Sequence, residues 1–151
     1  MDFAQEIIPK IKFFDIFPES SYTLISPFFS AQKYQKDDTV LDQGELNTQL
    51  YFLIKGSVNI YIDDEYVVTL QGPGEVFGEM SIAGHTTCTA KVSANDECIF
   101  AIFDYTRIKE LPENQKLKVE CALFKSCAEV LANKLINTNE IARTYKMISE
   151  N

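Results

Sequence analysis

Two short segments carry the residues with the clearest capacity for chemistry. Residues 72–81 read GPGEVFGEMS, and residues 87–90 read TCTA. Gly78 would let a ligand approach the backbone closely because it has no Cβ, and the Glu79 carboxylate can accept a hydrogen bond from a hydroxyl group such as that of a ribose. This layout predicts a pocket for the phosphate of a nucleotide. No arginine lies between Glu79 and Ala90, so the pocket lacks the cation that a phosphate requires.

The elements that must position these segments belong to a chain of ordinary globular composition. Its 151 residues are 46% hydrophobic and 24% charged, which predicts a single domain, residues 1–151, with a sizeable core. The net charge is −8. A strongly acidic chain lacks the basic face that nucleic-acid binding or adhesion to an anionic membrane requires, so neither partner is expected.

No segment of the sequence predicts export or membrane insertion. The longest apolar run of note, residues 98–103, is far shorter than the roughly 20 residues of a transmembrane helix. The N-terminal sequence MDFAQE has neither the basic start nor the long apolar core of a signal peptide. The four cysteines show no C-x-x-C spacing, which predicts reduced thiols in a cytoplasmic protein.

The hydrophobic pattern divides the chain into three regions. Residues 1–30 show helical spacing interrupted by prolines, which predicts short helices. Residues 31–103 contain short β-rich runs separated by turn residues at intervals of about ten, as in an antiparallel sandwich or barrel. The predicted strands include residues 50–54, 58–62, 66–70, 87–92 and 98–103. Residues 104–151 are predicted to be helical, with one long helix from about residue 113 to 148.

The long helix carries apolar and small residues at alternating spacings of four and three. This heptad seam runs from Leu117 to Tyr145 and includes Phe124, Leu131 and Leu135, a pattern typical of helices that pair. Roughly thirty helical residues span about 45 Å, which exceeds what a compact β-domain can cover. We therefore expect a homodimer through this helix. A helix packed wholly on its own β-domain is the alternative.

Taken together, these pieces resemble the cyclic nucleotide-binding domain family, which includes catabolite activator proteins and the regulatory subunits of cAMP-dependent kinase. Residues 51–58 (YFLIKGSV) are similar to its strand–glycine–strand hairpin, residues 74–81 to the first half of its phosphate-binding cassette, and residues 131–140 to the dimer helix of the catabolite activator branch. The resemblance implies a mainly β fold, an antiparallel β-roll or jelly roll (double-stranded β-helix), preceded by short helices and followed by a long C-terminal helix.

The resemblance also implies which residues would hold a ligand. In the family, the cassette glutamate binds the ribose 2′-hydroxyl, and an arginine nine or ten residues later pairs with the cyclic phosphate. Glu79 matches the glutamate and Ala90 matches the alanine that ends the cassette, but Cys88 stands at the arginine position and Thr89 follows it. The implied ligand site comprises Phe77, Gly78, Glu79, Met80, Ser81, Cys88, Thr89 and Ala90. The cassette is therefore degenerate, and we expect cAMP and cGMP to bind weakly or in an altered way.

Residues of the long helix could complete the site. Thr138 and Asn139 fall where the catabolite activator branch places two small polar residues against the base, although a threonine in a heptad seam or a solvated asparagine is also ordinary. Lys134 lies one helical turn before Thr138 on the same face and could supply a substitute cation. Glu79 could instead be structural, accepting hydrogen bonds from neighbouring backbone N–H groups.

The sequence argues against several other functions. His85 is the one histidine, so a cupin-type metal enzyme, which needs several histidine ligands, is excluded. Haem ligation by His85 with Cys88 is an alternative, whereas an iron–sulfur sensor would need a cysteine cluster that includes N-terminal cysteines, and no cysteine precedes Cys88. No nucleophile–base pair suggests an enzyme. A helix-turn-helix is also not expected within these residues, since that DNA-binding domain would begin at about Asn151.

Two classes of function remain from the sequence. The first is a stand-alone, non-enzymatic regulatory or sensor module that requires no cofactor and whose candidate ligand is a cyclic nucleotide. The second is a dimerisation or protein-interaction scaffold with a vestigial pocket and a protein partner that the sequence does not name. The residue at position 88 separates them.

Overall fold

The computed structural model describes residues 2–149, and short helices open the chain. The α-helices α1 (Phe3–Ile7) and α2 (Tyr22–Ile25) alternate with 3₁₀ helices at Ile8–Lys10, Lys12–Phe14, Glu19–Ser21 and Ser26–Phe28. Asp2 caps α1 by accepting a 2.8 Å hydrogen bond from the Gln5 N–H. Proline near the start of the first and last 3₁₀ helices breaks the helical period into single turns because it removes a backbone donor.

Eight strands follow and form two four-stranded antiparallel sheets. They are β1 (Phe29–Tyr34), β2 (Thr39–Leu41), β3 (Leu50–Lys55), β4 (Ser57–Ile62), β5 (Glu65–Gln71), β6 (Val76–Phe77), β7 (Lys91–Ala94) and β8 (Cys98–Phe103). The strand orders are β1-β8-β3-β6 and β2-β7-β4-β5. A 3₁₀ helix, Glu79–Ala83, separates β6 from β7. The predicted antiparallel β-roll with flanking helices is confirmed.

The strand predicted at residues 87–92 is wrong at its start. The structure begins β7 at Lys91, and Thr87 makes only an isolated bridge to Leu46. The cause is the partner of this segment, which is a loop and not a strand. Cys88 donates its N–H to the Glu45 carbonyl and accepts from the Gly44 N–H, both at 2.8 Å. The backbone donors and acceptors are satisfied, but no regular ladder forms.

Two apolar clusters hold the roll and its helices together. One lies between the sheets and centres on Phe100, Val58 and Leu53. The other covers the outer face of the β1-β8-β3 sheet with the N-terminal helices and is rich in aromatic pairs, such as Phe14 with Phe103 at 5.6 Å between ring centroids. Edge-to-face pairs of this kind add to the stabilisation from burial.

The long helix α3 (Glu113–Ser149) joins the second cluster through one face of its first half. After a 3₁₀ helix at Tyr105–Glu110, Pro112 precedes α3, and no glycine or proline interrupts it, as expected for an uninterrupted helix. Val119, Leu123 and Cys127 are buried, and the Ser126 hydroxyl donates a buried 2.7 Å hydrogen bond to the Phe13 carbonyl. Within residues 2–149, no helix is apolar enough over sufficient length to cross a membrane.

Candidate functional site

Gly78 makes the turn that opens the predicted cassette. Its φ of 93° lies in the left-handed region, which non-glycine residues rarely adopt. A Cβ at this position would collide with the Gln49 carbonyl oxygen and would lie 2.7 Å from Nδ2 of Asn47. Asn47 is fixed in turn, since it donates to the Gln49 carbonyl at 2.8 Å and accepts from the Gln49 N–H at 3.1 Å. The turn therefore requires glycine for both conformation and space.

Ser81 locks the 3₁₀ helix that follows this turn. Its hydroxyl donates to the Gly78 carbonyl at 2.6 Å and lies 2.7 Å from the Tyr105 hydroxyl, which acts as the donor to it. Burial raises the pKa of the Tyr105 hydroxyl. The hydrogen bond with Ser81 lowers this pKa, but by less. The phenol therefore stays neutral and keeps its donor proton at physiological pH.

Glu79 is 5% exposed, and its carboxylate is paired with a residue from the long helix. Lys134 Nζ lies 2.6 Å from Glu79 Oε1, donates to the Val76 carbonyl at 2.7 Å and lies 5.3 Å from the centre of the Phe77 ring. The partner of the carboxylate is thus a charged side chain. The sequence had offered neighbouring backbone N–H groups as one alternative. This ion pair joins α3 to the cassette.

Cys88 holds the position that the resemblance assigns to the phosphate-binding arginine. Its thiol is half-buried. Burial raises the pKa of this thiol most, and the negative charges of Glu45 and Asp42 raise it further. The thiol is therefore uncharged near neutral pH. The backbone around it is well ordered by the bonds to Gly44 and Glu45, so the segment has a defined shape and no charge at this point.

A cavity of about 890 Å³ lies between the cassette, the second sheet and α3. Of the predicted ligand residues, the structure brings together Phe77, Gly78, Glu79, Met80, Ser81, Cys88, Thr89, Ala90, Lys134 and Thr138. Asn139 does not line the cavity, because five residues after Lys134 it lies on another face of the helix. The Thr138 hydroxyl donates back to the Lys134 carbonyl at 2.9 Å.

Several cavity residues are not predicted from the sequence. Asn137, Glu140 and Ile141 line it from α3, and the spacing from Lys134 to Asn137 and Ile141 is that of one helical face, so the signal was present. Strands β4 and β5 contribute aliphatic side chains, namely Ile60, Ile62, Val67, Val68 and Leu70. Nothing in their alternation distinguishes a cavity wall from an ordinary core face.

The predicted pairing residues of α3 are divided by the structure. Leu117, Phe124 and Leu135 are 67%, 56% and 61% exposed, whereas Leu131 is half-buried. The exposed side chains form an apolar stripe on the face of α3 that does not pack on the roll.

His85 and Cys88 both line the cavity, but residues 2–149 contain no group of three or more His, Cys, Asp or Glu side chains placed to bind a metal ion.

Comparison with known proteins agrees with this geometry. The family model described as cyclic nucleotide-binding domain matches residues 31–115. The cAMP-activated global transcriptional regulator CRP of Pasteurella multocida is 29% identical over 112 residues, covering 71% of this chain and 51% of the regulator. Cyclic GMP-binding protein C of Dictyostelium discoideum is 27% identical over 128 residues, covering 82% of this chain and 5% of that protein. The chain thus spans about half or less of these relatives.

A solved structure extends the comparison to the fold. A cyclic nucleotide-binding domain from Methylobacillus flagellatus superposes with a TM-score of 0.73 at 20% identity, covering 91% of this chain and 79% of that one. The superposition includes most of the β-roll and its flanking helices, and it supports the fold alone.

Proposed function

The chain belongs to the cyclic nucleotide-binding domain family, and we propose that it is a non-enzymatic regulatory module whose cavity binds cAMP and cGMP weakly or not at all. The observation that carries this proposal is the uncharged Cys88 thiol at the cassette's arginine position. The turn at Gly78 and the buried Glu79 supply the shape of the family's pocket, but residue 88 supplies no cation at the position where the family has its arginine. The proposal treats the chain as one sensor module that needs no cofactor.

The size of the expected loss follows from the chemistry of the missing pair. An arginine binds a phosphate through two charge-assisted hydrogen bonds, and burying an anion without such a partner costs several kcal/mol. A loss of about 3–4 kcal/mol weakens binding by a factor of several hundred. An affinity in the micromolar range would then fall to near-millimolar.

Lys134 does not replace the arginine in this arrangement. Its ammonium group already donates to Glu79 and to the Val76 carbonyl. To reach a phosphate it would have to leave a carboxylate that is 5% exposed, and an unpaired buried charge is strongly unfavourable. The ion pair therefore supports the proposal of weak binding to anionic nucleotides.

Calorimetric titration with cAMP and cGMP tests the proposal. We expect dissociation constants near 1 mM or weaker for the wild type, and Cys88→Arg to strengthen cAMP binding by roughly tenfold or more. Cys88→Ser is the matched control, since it changes the side chain without adding charge. Low-micromolar binding by the wild type would overturn the proposal.

A second candidate function rests on the apolar stripe of α3. Leu117, Phe124 and Leu135 are exposed on one helical face, and a contiguous apolar stripe is uncommon on a monomer. We propose that it meets the same stripe of a second copy, related by a twofold axis. In this reading the module is a dimeric interaction scaffold, with or without a ligand.

Light scattering at micromolar concentration tests the dimer. We expect a dimeric wild type and a monomeric Phe124→Glu/Leu135→Glu double variant, because each glutamate would be buried without a partner at the interface. Asn133→Glu/Thr144→Glu is the matched control, since it adds the same charge at exposed positions on another face of the helix. A monomeric wild type, or equal effects of both double variants, would exclude this interface.

A further inference from the structure

We infer that the cavity takes an uncharged ligand with a largely apolar body, held by neutral hydrogen bonds. This inference rests on the proposed function in one respect: both require that the cavity of a regulatory module binds a ligand. It goes beyond weak binding of cyclic nucleotides, since it names the class of molecule that the same walls would accept. Three independent features of the cavity support it.

The first feature is the balance of charge around the cavity. Among the described lining residues, Glu75, Glu79 and Glu140 are acidic, and Lys134 is the one lysine or arginine. Glu45 and Asp42 lie behind the Cys88 segment, close enough to raise the pKa of its thiol. An anionic ligand would therefore meet an excess of carboxylates, which repel it.

The second feature is the engagement of Lys134. Its ammonium group has three donor protons, and it makes short hydrogen bonds to Glu79 and the Val76 carbonyl while facing the Phe77 ring. The positive charge of Lys134 thus neutralises a carboxylate of the protein itself, that of Glu79. With Glu79 neutralised internally, the floor of the cavity presents an ion pair and no free charge to a ligand.

The third feature is the chemistry of the walls. Ile60, Val68, Leu70, Val92 and Ile141 supply aliphatic surface from four elements, which would cover an apolar ligand body. Thr86 and Asn137 also line the cavity, and a hydroxyl and an amide can hydrogen-bond a neutral group. Its volume of about 890 Å³ falls in the range usual for small-molecule sites.

Two fluorescent probes that differ in charge test the inference. N-phenyl-1-naphthylamine is neutral, and 1-anilinonaphthalene-8-sulfonate has the same ring system with a sulfonate. We expect the neutral probe to bind at least about tenfold more tightly than the sulfonate. Equal or tighter binding of the sulfonate would overturn the inference, and so would the absence of binding by both probes.

Paired substitutions locate the probe. Val67 is 52% exposed and lines the cavity, so Val67→Asp adds a carboxylate there at little risk to folding, and we expect it to weaken the neutral probe by roughly tenfold. Ile16→Asp makes the same kind of change at an exposed apolar side chain outside the cavity and should leave binding unchanged. Equal effects of the two variants would show that the probe binds elsewhere.

The double variant Lys134→Met/Glu79→Gln separates this inference from the alternative that Lys134 serves a ligand anion, because it removes both charges of the ion pair. If the lysine only neutralises Glu79, the double variant should bind the sulfonate and cAMP within about twofold of the wild type. A loss of tenfold or more in the double variant would assign the lysine to the ligand and overturn the inference. Tight cAMP binding by the wild type would overturn the proposed function together with this inference, whereas failure of the probe experiments alone would overturn only the inference.

Discussion

The two halves of the cassette differ in what holds them and in what they offer a ligand. The turn from Gly78 to Ser81 is fixed by close packing against Asn47 and by the hydroxyl of Tyr105. The segment around Cys88 is held mainly by backbone hydrogen bonds to the 44–47 loop, with Cys88 packed at the edge of the cluster between the sheets, and the side chains of residues 86–90 carry no charge. The first half is therefore determined by packing, whereas the chemistry of the second half depends on one side chain.

This difference shows that the shape of a pocket and its ligand chemistry can be separated. The backbone around residue 88 needs no particular side chain to keep its course, so a charged residue can be absent there without disturbing the roll. At residue 78 any side chain would disturb it. Four predictions test this contrast, beginning with the largest expected effect.

Gly78→Ala is expected to destabilise the protein by about 3 kcal/mol or more, because it combines a left-handed backbone with a steric overlap. Thermal unfolding should show a fall in Tm of roughly 10 °C. Gly84→Ala is the matched control, since Gly84 has a φ of 94° but no atom within 4 Å of an added Cβ. It should cost about 1 kcal/mol. Similar losses for both variants would mean that conformation alone, and not packing, requires Gly78.

Cys127 lies in the core beneath the cassette and should make the protein sensitive to alkali. Burial, followed by the charge of Glu79, raises the pKa of Cys127 from 9.0 to about 12. The folded state holds this proton more tightly than the unfolded state, so the stability is fully present below pH 9 and is lost as the pH rises toward 12. Between those values the loss is about 1.4 kcal/mol per pH unit, or roughly 2 kcal/mol at pH 10.5.

Denaturation in urea from pH 7 to 10.5 measures this loss. Cys127→Ala should be less stable than the wild type at pH 7 but should decline less steeply with pH. Cys121→Ala, at an exposed cysteine of the same helix, should decline as the wild type does. Parallel pH profiles for all three proteins would contradict the assignment to Cys127.

The Lys134–Glu79 pair is expected to contribute about 1–2 kcal/mol in a double-mutant cycle of Lys134→Met and Glu79→Gln. The value is kept below that of a fully buried pair because the lysine side chain is 41% exposed, and solvent screens it. Urea denaturation of the two single variants and the double variant gives the coupling. A coupling below about 0.3 kcal/mol would show that the pair behaves as a surface ion pair.

Cys88→Ser should have the smallest effect, a loss of less than about 1 kcal/mol, since the backbone around residue 88 is held by its own hydrogen bonds. The same urea experiment measures it beside Gly78→Ala. A loss above about 2 kcal/mol would show that the thiol is part of the packing and would remove the contrast between the two halves.

The sequence was sufficient for the parts of the molecule that depend on local pattern. The turn residues, the alternation in β4 and the apolar spacing of α3 predicted the roll and the long helix, and the glycine at position 78 indicated a close backbone approach. The β-prone residues before Lys91 gave a false strand, because their partner is a loop whose course is set by tertiary contacts.

The missing parts of the site depend on long-range contacts. Glu79 and Lys134 are 55 residues apart in the chain, and no local pattern reports that their side chains meet. Helical spacing from Lys134 could have identified Asn137 and Ile141, but it required knowing which face of α3 lies toward the roll. Without that orientation, Asn139 and Thr138 were equally plausible candidates.

The ion pair between Lys134 and Glu79 also determines the position of a surface far from it. Every described residue of α3 from Leu135 to Ser149 is exposed, and this part of the helix extends about 22 Å beyond the pair. A tilt of about 10° at Lys134 would move its tip by about 4 Å, as much as a side-chain contact spans. A change at the cassette too small to disturb the roll would thus be magnified into a displacement that another molecule can detect.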